Sequence, residues 1–92
     1  MKRYVIEREI PGVGLSDIAK CAEISRTSNA ALSQLAPRVQ WEHSSFTADK
    51  TFCIYLAEDE AAIRDHARLS GFPANRITEV ACIIDPTTAL AA

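Results

Sequence analysis

Ninety-two residues weighing 10.1 kDa leave room for one hydrophobic core and no second. Ten Lys and Arg against twelve Asp and Glu give a formal charge of −2, so the chain lacks the basic footprint of a nucleic-acid partner. Hydrophobic residues at 48% with 24% charged argue against disorder, and no apolar run reaches the ~18 residues of a membrane helix.

The segment Lys2 to Glu9 carries Tyr, Val and Ile and is ended by Pro11-Gly12-Val13-Gly14, which predicts a strand and a turn. Ser16 suits a helix N-cap with Asp17 in the first turn. From Asp17 to Leu35 the apolar or small residues Ile18, Cys21, Ile24, Ser28, Ala31 or Leu32, and Leu35 recur at helical spacing, and Pro37 ends the helix. Arg38 to Phe46 alternates as a strand. Thr47-Ala48-Asp49-Lys50 joins it as a hairpin to a strand from Thr51 to Ala57, with Phe52, Ile54 and Leu56 expected toward the helices. The acidic run Glu58-Asp59-Glu60 opens a second helix that Gly71 closes, with Pro73 just beyond. A last strand is expected from Arg76 to Ile84, and a tail from about Asp85.

The order β-α-β-β-α-β is the split βαβ pattern, so the expected class is α+β: a ferredoxin-like domain over residues 1–92. Its four-stranded antiparallel sheet carries both helices on one face and leaves the other bare. Apolar residues on a bare face favour a homodimer packed sheet against sheet, a barrel-like shell with two pockets.

Several segments carry a resemblance. Arg3-Tyr4-Val5-Ile6-Glu7-Arg8-Glu9 with Pro11-Gly12, Gln40-Trp41-Glu42-His43-Ser44, Lys50-Thr51-Phe52-Cys53-Ile54-Tyr55, Ile63-Arg64-Asp65-His66-Ala67, Gly71-Phe72-Pro73-Ala74-Asn75-Arg76-Ile77 and Ile84-Asp85-Pro86-Thr87-Thr88 together span nearly the whole chain. They resemble a family of small, mostly bacterial, ferredoxin-like proteins of unknown function that includes an actinobacterial nickel-binding protein. The resemblance implies the same fold, a homodimer, and Ni²⁺ or another late first-row divalent ion as ligand. It assigns no ligand residues.

The residues themselves offer His43, His66, Cys53 and Glu7 as metal donors, since imidazole and thiolate suit nickel, copper and zinc. Trp41 and Tyr55 would line the pocket. Whether His43 meets Cys53 depends on the hairpin. Pairing Phe46 with Lys50 sets His43 beside Cys53 and Trp41 beside Tyr55, whereas pairing Phe46 with Thr51 sets Ser44 beside Cys53; the first is favoured because it turns Phe52, Ile54 and Leu56 toward the helices. The competing reading of His43 and His66 is as ordinary interface or packing residues. The three cysteines form no CxxC pair and otherwise read as small buried hydrophobes.

No oxyanion-hole sequence or nucleophile elbow accompanies Cys53, and the Pro-Gly-Val-Gly turn lacks the spacing of a nucleotide loop. A nucleotide cofactor and a catalytic residue are therefore not expected. The expectation is a small cytoplasmic, homodimeric metal-binding protein with no nucleic-acid or membrane partner. The alternatives are a small-molecule binder or cofactor-independent enzyme using a sheet-face pocket, and an accessory interaction domain.

Overall fold

The computed structural model describes residues 1–91. Strand β1 (Lys2–Glu9) leads through a 3₁₀ turn (Val13–Leu15) to helix α1 (Ile18–Leu35). Strands β2 (Val39–Phe46) and β3 (Lys50–Ala57) form the hairpin, and helix α2 (Glu60–Ser70) leads to β4 (Arg76–Glu79). The four strands make one antiparallel sheet in the order β2-β3-β1-β4, so each helix joins consecutive strands that are not neighbours in the sheet.

Local chemistry sets the boundaries. Asp17, rather than Ser16, caps α1 by accepting from the Lys20 backbone N–H at 2.8 Å. Asp59 caps α2 in the same way through the Ala62 N–H at 2.9 Å. Gly71 stops α2 at φ +80°, a left-handed conformation that glycine adopts without a Cβ clash. The last strand ends at Glu79, short of the predicted Ile84. Beyond Val80 the chain is exposed, and a separate 3₁₀ segment (Pro86–Leu90) is capped by Asp85.

One sheet face is covered. Tyr4, Ile6 and Arg8 of β1 share it with Thr51, Cys53, Tyr55 and Ala57 of β3, in directly opposed pairs such as Tyr4 with Tyr55 and Ile6 with Cys53. Val39 joins them, and Leu35, Ala62 and Ile63 close the core from the helices. Salt bridges between Glu60 and Arg64 (3.5 Å) and between Asp65 and Arg68 (3.0 Å) lie on the solvent side of α2, as their helical spacing predicts.

Two expectations are reversed. Phe52, Ile54 and Leu56 lie on the open face, because β3 buries its alternate set, Thr51, Cys53, Tyr55 and Ala57. The hairpin also pairs Phe46 with Thr51 and Ser44 with Cys53; an irregularity between Trp41 and His43, with Glu42 as the extra residue, then restores the opposition of Trp41 and Tyr55. The apolar stripe of α1 is closed only in its second half. Ser28, Ala31 and Leu35 are buried, Cys21 and Ile24 are half-buried, and Ile18 is 86% exposed. Cys82 is exposed, leaving Cys53 as the buried cysteine.

Candidate functional site

The first half of α1 stands off the sheet, and the gap beneath it is a cavity of about 590 Å³. Its floor is the covered face of β1 and β3 with Arg8, Thr51, Cys53 and Tyr55. Cys21 and Ile24 of α1 form the roof, Trp41 and Phe46 of β2 one wall, and Phe72 and Pro73 after α2 the other. The lining is predominantly apolar, and the volume falls within the range of small-molecule sites.

Arg8 is placed there by strand alternation: it follows Tyr4 and Ile6 at period two, so its side chain must enter the covered side. It is 2% exposed. Nη1 donates to the Pro73 carbonyl at 2.6 Å, while Nη2 is buried with no partner among the described residues. The guanidinium carbon lies 5.9 Å from the centroids of both Tyr55 and Phe72, within cation–π range. Nearby, the Trp41 indole N–H donates to Ser44 Oγ at 2.9 Å, and Thr51 Oγ1 stands 3.6 Å from Cys53 Sγ.

Tyr55 connects this cavity to the helix interface. Its ring lies 5.1 Å from that of His66 at a tilt of 58°, and His66 Nε2 is 3.1 Å from Ser28 Oγ on α1. Burial, reinforced by the Arg8 charge, pulls the His66 pKa down to about 4, so the imidazole is neutral. Burial also pushes the Tyr55 phenol above its ordinary value.

The proposed donors are divided by the sheet. Cys53 and Tyr55 point to the helices, and His66 is wholly buried among them rather than at the edge of the stripe. His43, opposite Ile54, and Glu7, opposite Phe52, lie on the open face. Glu7 is 4.0 Å from Arg76, and Glu42 accepts a 2.6 Å bond from Arg3, so both nearby carboxylates face arginines. Among the described residues no three His, Cys, Asp or Glu side chains gather as metal donors. Within one chain the described donors therefore supply no three-ligand set for a nickel ion. Sequence reasoning missed Arg8 and Phe72; the period-two run Tyr4, Ile6, Arg8 was the available signal for the first.

No helix among the described residues is long and apolar enough to cross a membrane. No protein of curated function matches the chain. Among solved structures it is similar to SCO4226 from Streptomyces coelicolor A3(2), with a TM-score of 0.71 and 16% identity, covering 89% of this chain and 99% of that one. A family model described as "Nickel responsive protein SCO4226-like" matches residues 4–80, and the chain belongs to that family.

Proposed function

We propose that this is a ferredoxin-like protein that works as a homodimer in a cytoplasmic nickel response, with any bound ion held between the copies. The family match over residues 4–80 carries the nickel part of this reading. Two surfaces support the dimer. Val5, Phe52, Ile54 and Leu56 form an apolar strip on a sheet face that no helix covers. The segment after β4 also exposes Ile83, Ile84 and Leu90, although Asp85 gives it ordered, capped structure. A second copy offers both surfaces a matching partner through two-fold symmetry.

Because one protomer does not gather three donors, pairing of two copies is the simplest way to assemble a site. His43 is the imidazole that the open face offers, and a two-fold axis doubles it. Cys53 and His66 are committed to the covered side and are not needed in this reading.

Sedimentation velocity and calorimetric titration of the full chain with NiCl₂ test the proposal together. The expected result is a dimer that binds Ni²⁺ with a stoichiometry of one ion or fewer per protomer, and weaker binding in His43→Ala. A stable monomer at high concentration, or unchanged binding in His43→Ala, would overturn it.

A further inference from the structure

The cavity beneath α1 is not used by the nickel reading, and one of its lining residues is a buried cation whose Nη2 has no partner among the described residues. We propose that it binds a small monocarboxylic acid with an apolar body, the carboxylate meeting Arg8 and the body lying between α1 and the sheet.

A guanidinium 2% exposed and lacking a carboxylate partner among the described residues is costly to bury unless an anion joins it. Here Nη1 is held by the Pro73 carbonyl, and Nη2 is left without an acceptor among the described residues. Tyr55 and Phe72 flank the cation, each ring centroid 5.9 Å from the guanidinium carbon. Carboxylate is the group that arginine pairs with most specifically alongside phosphate. The choice between the two rests on the rest of the cavity. Ile24, Trp41 and Phe46 supply apolar surface. The hydroxyls that also line the cavity, Ser25, Ser44 and Thr51, are uncharged, Ser44 and Thr51 lying against Trp41 and Cys53, whereas a phosphate would need several charged donors around it. Exposed Lys20 and Glu9 stand at the rim with opposite charges, so the rim does not select for a second charge on the ligand.

Trp41 is the sole tryptophan and lines the cavity, so its emission reports occupancy directly. Titration of the full chain with octanoate, below its micellar concentration, is expected to shift that emission saturably. Octanol, with the same chain and no charge, is expected to bind at least tenfold more weakly. Arg8→Met is expected to lose at least tenfold in octanoate affinity and to lose the discrimination against octanol, while Arg8→Lys keeps part of both. Ser25→Phe, which fills the cavity from α1 and leaves Arg8 in place, is expected to abolish the response to either probe.

The proposal fails if octanol binds as well as octanoate, if folded Arg8→Met binds octanoate like the parent, or if octanoate gives no saturable shift. It also fails if inorganic phosphate binds as tightly as octanoate. Should Arg8→Met not fold, the comparison of octanoate with octanol on the parent protein and the Ser25→Phe titration decide. None of these readouts involves nickel, so the outcome is independent of the metal reading.

Discussion

Ser28 of α1 and His66 of α2 meet in the buried seam between the helices, with 3.1 Å between Oγ and Nε2. The imidazole is shielded on one side by Tyr55 and is kept neutral by burial and by the Arg8 charge. Above about pH 6.5 the unfolded and folded chains both carry an uncharged His66. Between about 6.5 and about 4 only the unfolded chain takes up the proton, so stability declines as pH falls through that interval. The loss from this residue amounts to about 3 kcal/mol by pH 4. Urea denaturation at pH 7 and pH 4.5 should show it, and His66→Gln should flatten that part of the profile.

Gly14 is constrained by packing rather than by its backbone angles. A Cβ at this position would lie 2.6 Å from the Thr47 carbonyl oxygen and 2.9 Å from the Ala48 Cα, both main-chain atoms of the β2–β3 hairpin. The Gly14 N–H also donates to the Ala48 carbonyl at 3.0 Å, so retreat would break a bond. Gly14→Ala is expected to cost about 1–3 kcal/mol, the range of an overpacked site. A denaturation midpoint equal to the parent's would contradict this.

Ile63 is fully buried where α2 meets the core beside Ala57 and Ala62. Truncation to Ala leaves a void that the small neighbours cannot fill, and a loss of about 2–5 kcal/mol is expected. In a domain whose total stability is on the order of 5–15 kcal/mol, such a loss should appear as a clear fall in Tm.

Ile54 is the middle of the apolar strip on the open face, flanked by Val5 and His43. Ile54→Lys should leave the monomer's fold in place, since the residue points away from the helices. If two copies pair through this face, the substitution should raise the fraction of monomer in sedimentation velocity. An unchanged dimer fraction would direct the search to the tail containing Ile83 and Ile84.

The order of elements and most of their ends were legible in the sequence because caps and breakers mark them. Asp59, Gly71 and Pro37 act through local bonds and sterics that do not depend on the rest of the fold. The face assignment of β3 was not legible. Phe52, Ile54 and Leu56 compete with Cys53, Tyr55 and Ala57, and both sets are apolar, so alternation gave no decisive contrast. Packing settles it: the residues set against Ala62 and Ile63 include Ala57, which lets α2 lie close to the sheet. The hairpin register, Phe46 with Thr51, parted His43 from Cys53, while the extra residue at Glu42 returned only Trp41 to the side of Tyr55. A single extra residue in a strand leaves no mark in a hydrophobicity pattern.

Both margins of the sheet are blunt. β4 runs for only four residues, and β2 is interrupted by its extra residue at Glu42. Neither border offers a long, flat run of main-chain groups onto which further strands could be added. Growth by edge-to-edge strand addition is thereby discouraged, and the homodimer proposed above would meet through its faces, where one isologous pairing consumes the sticky surface.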